Sequence, residues 1–402
     1  MREGCIVVNS EGNDMTVNIP DELIDWRAKG FWLPSGEVRV RDFAAARHSL
    51  FDGSFTWPLL VVRESAVRAN IATMAAYADR HGFSFAPHAK TTMAPTLLEA
   101  QLAAGAWALT VATASQALVL RRLGVPRVLI ANEVLDATAL RWLAGESARG
   151  WEVFVQVDSV AAVEAVAAAG GLPVLVELGH AGGRTGCRTV EEALTVARAA
   201  AAAPGVVPVG VTAYEGALPD AAAVDDFLAT LVAAARAMAG LLPAEVIVSA
   251  GGSAWFDRVI KALEGQWLDG HRVRAVLRSG ASVTHDDGFY SERTPFHRVP
   301  GEGALAAALE LWAQVLSTPE PGLAIVGMGK RDAPFDEGLP TAEGFTVTRL
   351  NDHHAYVTGG APAVGDLIRF GLSHPCTAFD KWRFIPVVDD ADVVVDVLHT
   401  YL

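Results

Sequence analysis

Lys90 is the first side chain that could do chemistry, in the run Pro87-His88-Ala89-Lys90-Thr91. The preceding apolar residues favour a β-strand, and Pro87 ends it because proline supplies no donor to a β-ladder. An amine at a strand end, partly removed from water, can attack an aldehyde and form a Schiff base. Lys90 is therefore a candidate nucleophile, although a single lysine after a strand is more often a solvated loop residue.

A second candidate is the pair His374 and Cys376, in the run Ser373-His374-Pro375-Cys376. In an extended chain, residues two apart face the same side, so one imidazole and one thiolate can face one ion. This combination favours zinc or another borderline divalent metal. Two protein ligands leave positions for water or substrate, which suits catalysis. By itself, however, a His-x-Cys sequence is more often a turn with a packed cysteine.

Repeating strands and helices are expected to position these side chains. Apolar runs that indicate strands occur at residues 85–86, 107–111, 128–131, 153–157, 174–178, 209–212, 246–248 and 275–277. Ala- and Leu-rich segments that favour helices lie between them at 114–123, 137–143, 160–169, 191–203 and 221–239. Strands buried on both faces and alternating with helices imply a parallel sheet. Eight such units predict an α/β fold with a (β/α)8 TIM barrel, and a doubly wound open sheet is the alternative.

In such a barrel, reactive residues follow the strands at the C-terminal face. Lys90, Asn132, Asp158, Arg184, Tyr214 and Glu215 all do so. Small residues follow the last two strands, namely Gly251, Gly252, Ser253, Ser279, Gly280 and Ala281. Small residues let backbone N–H groups and hydroxyls approach an anion, so these two clusters predict a phosphate site. Either cluster alone is as easily an ordinary turn.

A phosphate pocket and a strand-end lysine on one rim predict pyridoxal 5′-phosphate (PLP) as the cofactor, bound to Lys90. Arg184 lies in the loop Gly182-Gly183-Arg184-Thr185-Gly186, where its guanidinium can hydrogen-bond the phenolate oxygen of the cofactor. Tyr214 is a candidate for contact with the pyridine ring. The alternatives are a surface arginine and a tyrosine that packs in the barrel top.

The C-terminal part differs in kind. Short alternating strands are expected at 324–327, 345–348, 355–357, 367–370 and 393–395, with one further helix at 304–315. They predict a mostly antiparallel β-domain. The apolar strand 58–62 is expected to pair into the barrel. The predicted division is an N-terminal segment, 1–57, that contributes to the β-domain, a PLP-binding barrel, 58–284, and a C-terminal β-domain with the metal site, 285–402.

The motifs around Lys90, the Gly-Gly-Arg-Thr-Gly loop, Arg278-Ser279-Gly280 and the run from Ser373 to Trp382 together resemble the fold-type III PLP enzymes. Within them the chain resembles the D-serine dehydratase-like and D-threonine aldolase group. The resemblance implies an alanine racemase-type barrel, Lys90 as Schiff-base lysine, Arg184 near the cofactor phenolate, and His374 with Cys376 as metal ligands. Eukaryotic-type D-serine dehydratases have His-x-Cys here and D-threonine aldolases His-x-Asp. The group often has a histidine where this chain has Thr92.

This resemblance implies metal-assisted elimination from a D-β-hydroxy amino acid such as D-serine, which gives a keto acid and ammonia. The alternatives are aldolase cleavage to glycine and an aldehyde, an amino-acid racemase, and a PLP-binding homeostasis protein without turnover. Such homeostasis proteins are single-domain barrels, so the extra β-domain argues against them. The fold-type III enzymes that the chain resembles are usually dimers, so the resemblance implies a homodimer.

Composition sets further bounds. The chain has 402 residues, 51% of them hydrophobic, which is enough for two domains with a large core. A net charge of −14 argues against nucleic acid or an anionic membrane as partner. Met1 to Cys5 show no signal-peptide pattern and no long apolar span occurs, so a cytoplasmic protein is expected. Three scattered cysteines, Cys5, Cys187 and Cys376, do not make a disulfide framework.

Several polar residues have no role that the sequence alone assigns. They are His285, Asp286, His353, His354 and Asp336. Paired histidines between strands are more often exposed than functional. The segment from Lys330 to Asp336 has loop composition and could reach the active site of a neighbouring subunit.

Overall fold

The computed structural model describes residues 17–402, so the predictions on Cys5 and the first residues lie outside the described part. The described chain begins with a short antiparallel pair, a third strand and two helices. These elements are β1 (Leu23–Asp25), β2 (Glu37–Arg39), α1 (Val40–Ala45), β3 (Leu59–Arg63) and α2 (Glu64–Arg80). Over residues 17–402, no helix is both long and apolar enough to cross a membrane.

Eight parallel strands then alternate with helices. The strands are β4 (Ser84–Phe85), β5 (Leu109–Val111), β6 (Arg127–Glu133), β7 (Glu152–Val157), β8 (Pro173–Leu178), β9 (Val207–Ala213), β10 (Glu245–Ala250) and β11 (Arg272–Leu277). The helices are α3 (Pro95–Ala103), α4 (Ala114–Arg122), α5 (Ala137–Ala148), α6 (Val160–Ala168), α7 (Val190–Ala202), α8 (Ala221–Met238) and α9 (Phe256–Leu263). All eight predicted barrel strands and all five predicted helices are confirmed.

The sheet closes on itself. Strand β11 pairs with β4, and a parallel bridge between His88 and Thr110 joins the chain after β4 to β5. Side chains from seven of the eight strand regions fill the barrel interior as one apolar layer. They are Ala86, Ala108, Leu129, Phe154, Leu175, Ile247 and Val276. The packed layer closes the barrel, so the strand ends on one side form the floor of a site.

The C-terminal part forms a second, mostly antiparallel sheet with its own core. It follows α10 (Phe289–Arg293) and contains β12 (Leu309–Glu320), β13 (Leu323–Val326), β14 (Thr341–Ala342), β15 (Phe345–Leu350), β16 (Ala355–Thr358), β17 (Leu367–Gly371), β18 (Phe384–Val388) and β19 (Val394–His399). Strand β12 pairs with both β13 and β17, so six strands form a closed barrel. The five predicted strands of this domain are confirmed.

Two predictions for this region are wrong. The segment 304–315 was expected to be a helix, but from Leu309 it forms strand β12. The predicted strand 58–62 lies in β3, which pairs with β12 and β18 in the second sheet and not with the barrel. The run of four buried residues in β3 resembles a parallel barrel strand because β3 is covered on both faces.

Candidate functional site

Lys90 lies in a tight turn that follows β4. The turn is a short 3₁₀ helix over Ala89–Thr91, and the Ala89 carbonyl accepts bonds from the N–H groups of Thr92 at 3.1 Å and Met93 at 2.9 Å. The His88 backbone before the turn is paired with Thr110 of β5. Lys90 is half-buried at the C-terminal face of the barrel, as the sequence predicted.

A cluster of cations surrounds His88. Burial, followed by the nearby charges of Lys90, Arg278 and Arg184, holds the pKa of His88 well below its usual range. Arg278 is 7% exposed and donates from Nη2 to the Ala213 carbonyl at 2.5 Å. Within residues 17–402, Arg278 Nε and His88 Nδ1 have no hydrogen-bond partner. Three cationic side chains near His88, one of which has a buried nitrogen without a partner in the described chain, fit an anionic group such as PLP.

The structure brings Arg184 and Tyr214 together. The Arg184 guanidinium lies 4.5 Å from the centre of the Tyr214 ring, which is a cation–π contact. Burial, and then the Glu215 carboxylate, raises the pKa of Tyr214. The glycine-rich loop is held by Arg188, whose guanidinium donates to the carbonyls of Thr185 at 2.7 Å and Gly186 at 2.6 Å. Arg184 is thus presented on an anchored loop beside the barrel mouth.

The two Gly/Ser clusters adjoin each other, but two of their amides have a protein partner. Gly252 N donates to Glu215 Oε1 at 2.5 Å, and Gly251 N donates to Glu215 Oε2 at 3.2 Å. Burial of this fully covered carboxyl raises its pKa, against the effect of the two N–H groups. The Ser279 hydroxyl donates to the Gly251 carbonyl at 3.0 Å. The expectation that the Gly251 and Gly252 amides point at a phosphate therefore does not match the hydrogen bonds that they make.

The remaining members of these clusters are placed differently. Gly280 packs on the chain before Lys90, because a Cβ atom at this position would come within 2.5 Å of the His88 carbonyl oxygen. Ala281 begins a 3₁₀ turn, Ala281–Val283, and Ser253 is half-buried in the turn after β10. For Ser253, Gly280 and Ala281, no hydrogen bond from the backbone N–H to the described chain is present. The Ser279 N–H also makes no hydrogen bond to the described chain, so these four amides are the cluster members that remain for an anion.

His374 and Cys376 lie together, next to the lysine turn. Thr91 Oγ1 is 4.0 Å from Cys376 Sγ, so the residue that follows Lys90 touches the proposed metal pair. His374 Nδ1 is 2.6 Å from Asp336 Oδ2. Burial opposes protonation of His374, but contact with Cys376 and Asp336 outweighs it and raises the pKa to about 9. Within the described chain, no group of three or more His, Cys, Asp and Glu side chains could hold a metal.

The backbone at His374 is unusual. Its φ of 72° lies in the left-handed region, where a residue other than glycine is strained. The buried Asp286 carboxylate accepts the His374 N–H at 3.1 Å and the Tyr290 N–H at 2.9 Å. The rings of Tyr290 and Phe289 lie 5.8 and 5.7 Å from the imidazole. These contacts fix the direction in which the imidazole points.

Other polar residues named from the sequence have local roles. Asn132 donates to the Ala112 carbonyl at 3.2 Å, and Asp158 accepts the Gly186 N–H at 3.0 Å. His353 is exposed, with its Nδ1 4.0 Å from Asp332 Oδ2. His285 is buried, whereas His354 is exposed. Asp336 reaches His374 of its own chain, which the sequence did not anticipate.

Two carboxyls at the barrel strands, Glu133 and Glu177, are not among the residues predicted from the sequence. Glu177 is 6% exposed, and both Glu133 oxygens are buried without a hydrogen-bond partner in the described chain. Burial, with the neighbouring carboxyls of Glu177 and Asp158, raises the pKa of Glu133 to about 8. The available signal was a glutamate inside an otherwise apolar strand, in Val174-Leu175-Val176-Glu177-Leu178.

Family models match both halves of the chain. The alanine racemase N-terminal domain model matches residues 62–268, and the serine dehydratase domain model matches residues 308–388. A D-threonine aldolase from an Arthrobacter species is 30% identical over 361 residues, which cover 85% of this chain and 90% of the relative. A 3-hydroxy-D-aspartate aldolase from Paracoccus denitrificans is 27% identical over 337 residues, 79% of this chain and 84% of the relative.

Solved structures share the architecture. The D-threonine aldolase from Filomicrobium marinum superposes with a TM-score of 0.75 at 27% identity, over 86% of this chain and 95% of that one. The D-threo-3-hydroxyaspartate dehydratase from a Delftia species superposes with a TM-score of 0.68 at 23% identity, over 86% and 97%. The predicted combination of an alanine racemase-type barrel and a mostly antiparallel β-domain is confirmed.

Proposed function

The chain belongs to the fold-type III PLP enzymes, with an alanine racemase N-terminal domain followed by a D-serine dehydratase-like domain, and from this we propose a metal-assisted lyase of D-3-hydroxy amino acids. The preferred reaction is elimination of the β-hydroxyl, which yields a keto acid and ammonia. One observation carries the proposal: the lysine turn and the His374–Cys376 pair are in contact through Thr91, at 4.0 Å. This contact supports the proposal, because a base for the Cα proton and an acid for the β-hydroxyl would then be side by side.

The residues present fit the cofactor. Lys90 would bind it covalently, and Arg184 and Tyr214 would flank it at the barrel mouth. The N–H groups of Ser253, Ser279, Gly280 and Ala281 would hold the phosphate. When bound, PLP withdraws electrons from Cα of the amino acid. Arg278, just after β11, adds a buried guanidinium to the same rim, and its Nε has no hydrogen-bond partner among residues 17–402.

The residues also fit a divalent ion, for which zinc is the first choice. His374 and Cys376 supply the nitrogen and sulfur that borderline metals prefer. The carboxylate of Asp336 at Nδ1 leaves Nε2 of the same ring for the ion. The ion supplies Lewis acidity toward the β-hydroxyl. With two protein ligands, open positions would remain for substrate or water.

The chain's own part in the reaction follows from this arrangement. With PLP and substrate bound, Lys90 Nζ would take up the Cα proton. Arg278 is buried and lies near His88, so the two side chains would help to shield the lysine from water. Release of hydroxide from Cβ completes the elimination, and the product hydrolyses to keto acid and ammonia.

Aldol cleavage to glycine and an aldehyde is the second candidate. It is favoured by the 30% identity to a D-threonine aldolase over 85% of this chain. Elimination is favoured by Cys376. Structures of a D-threo-3-hydroxyaspartate dehydratase include one variant in which a His is replaced and one in which a Cys two positions later is replaced, and the Cys variant is in a metal-free form. We propose that the His-x-Cys pair has the same role here.

One assay separates the candidates. The purified enzyme, loaded with PLP and Zn²⁺, is incubated with D-serine, D-threonine and D-threo-3-hydroxyaspartate, and keto acid, ammonia, glycine and aldehyde are measured. Keto acid and ammonia in equal amounts from at least one substrate are expected. Glycine and aldehyde as the main products would establish cleavage and overturn elimination. Racemised amino acid as the main product would overturn both, and absence of cofactor absorbance would point to a different chemistry.

We also propose a homodimer. Large apolar side chains are exposed on the surface of the single chain. Among them, Trp26 has 72% and Trp32 has 59% of its surface exposed. Light scattering of the holoenzyme measures its mass directly, and a mass of one protomer at micromolar concentration would reject the dimer.

A further inference from the structure

The end of the last strand contacts the turn that bears Lys90. After β19 ends at His399, the Thr400 hydroxyl donates to the Thr92 carbonyl at 2.6 Å. The Tyr401 N–H donates to the Met93 carbonyl at 3.2 Å. Two consecutive carbonyls that follow the lysine by two and three positions are therefore held by the second domain.

This contact is anchored on its far side. Thr400 N donates to the Arg383 carbonyl at 3.1 Å, next to β18. The Tyr401 hydroxyl donates to Glu22 Oε1 at 3.2 Å, in the N-terminal segment. The donors to the lysine turn are thus fixed to two other parts of the molecule, so they can resist a movement of the turn.

The turn itself needs such support. Met93 has a φ of 43°, in the left-handed region, and its side chain is fully buried. A residue other than glycine persists in this conformation only when its surroundings hold it there. The N–H groups of Thr92 and Met93 both bond to the Ala89 carbonyl. A shift of Thr92 or Met93 is therefore passed directly to Ala89 and Lys90.

We propose that Thr400 is a positioning residue for Lys90, acting through the Thr92 carbonyl. The proposal rests on the proposed role of Lys90. The second domain then contacts the lysine turn at two consecutive residues, with Cys376 at Thr91 and Thr400 at Thr92. Together these contacts fix the position of the lysine amine relative to the His374–Cys376 pair.

The test compares Thr400→Val, which keeps the side-chain shape but removes the donor, with Thr400→Ser, which keeps the hydroxyl. The kcat of Thr400→Val is expected to be about fivefold to tenfold below that of the native enzyme, because the variant lacks one hydrogen bond that holds the lysine turn. KM is expected to change less than twofold. The rate at which apoenzyme forms its borohydride-reducible link with PLP is expected to fall in parallel, and Thr400→Ser is expected to restore both.

Thr348→Val is the matched control, because the Thr348 hydroxyl also donates to a carbonyl, that of Tyr356 at 3.2 Å, on the exposed side of the same domain. It is expected to leave both rates unchanged. Native kcat and native PLP linkage rate in a folded Thr400→Val protein would overturn the inference. So would a loss of activity that matches only a loss of folded protein in the melting curve, with kcat per folded molecule unchanged. If native enzyme itself forms no reducible link at Lys90, the proposed function fails, and this outcome is distinct from the other two.

Discussion

His374 and Asp336 are 38 residues apart in the sequence, yet Nδ1 of the imidazole is 2.6 Å from a carboxylate oxygen. The same carboxylate accepts the Thr377 hydroxyl at 3.2 Å through its other oxygen. A carboxylate at Nδ1 fixes the tautomer and the ring plane, so Nε2 is the nitrogen available to an ion. The loop that contains Asp336 therefore belongs to the candidate metal site.

Replacement of Asp336 by alanine is expected to weaken Zn²⁺ binding by about 10- to 100-fold, as is typical when a partner of a histidine ligand is lost. The dissociation constant is measured by competition with a chelator of known affinity. Asp380→Ala, which removes an exposed carboxylate from the same region, serves as the control and is expected to bind as the native protein does. Equal affinities in the Asp336 and Asp380 variants would show that the carboxylate does not support the site.

Much of the fold could be predicted because the barrel strands are short apolar runs between helix-forming segments. The strand-end position of Lys90 followed from Pro87 and from the pattern before it. The Asp336–His374 contact could not be predicted, because no local pattern relates residues 38 positions apart in an antiparallel domain. The partner of the Gly251 and Gly252 amides was missed for a similar reason, since Glu215 follows a different strand.

The segment 304–315 shows where local preference fails. Alanine, leucine and glutamate favour helices, but Leu309, Leu311, Ala313 and Val315 alternate with half-buried residues. This period of two places one face of β12 on the core of the second domain, and burial there outweighs helix propensity. This alternation is the sequence signal that indicates a strand here.

Replacement of Lys90 by alanine is expected to abolish the borohydride-reducible link with PLP and to lower turnover by roughly 10²- to 10⁴-fold or more, since the base for Cα is lost as well. Mass spectrometry of the reduced protein locates the link. Lys261→Ala, which changes an exposed lysine on α9, is the control and is expected to keep both properties. A reducible link that persists without Lys90 would place the cofactor on another lysine.

Replacement of Gly280 by alanine is expected to weaken PLP binding by roughly tenfold or more. The added Cβ would lie 2.5 Å from the His88 carbonyl oxygen, so the segment before Lys90 would move away from the N–H groups that are proposed to hold the phosphate. The dissociation constant is measured by titration of apoenzyme followed by absorbance. At Gly301 nothing lies within 4 Å of an added Cβ, so Gly301→Ala is the matched control. Native affinity in Gly280→Ala would show that the phosphate lies elsewhere.

Replacement of Glu133 by glutamine is expected to stabilise the protein in a pH-dependent way. The pKa of Glu133 is raised from 4.5 to about 8, so the folded protein binds more protons than the unfolded chain between these values. Stability from this group is therefore present at low pH and is lost as pH rises toward 8, where a buried charge must form beside Glu177.

A carboxamide does not ionise, so the difference in unfolding free energy between Glu133→Gln and the native protein should grow in favour of the variant between pH 5 and pH 9. The expected gain is on the order of 1–2 kcal/mol, after discounting for solvent screening of a partly exposed group. Denaturant unfolding of the apoprotein at both pH values measures it, with Glu320→Gln, at an exposed strand end, as control. A difference that stays constant with pH would mean that Glu133 ionises in the folded protein as readily as in the unfolded chain.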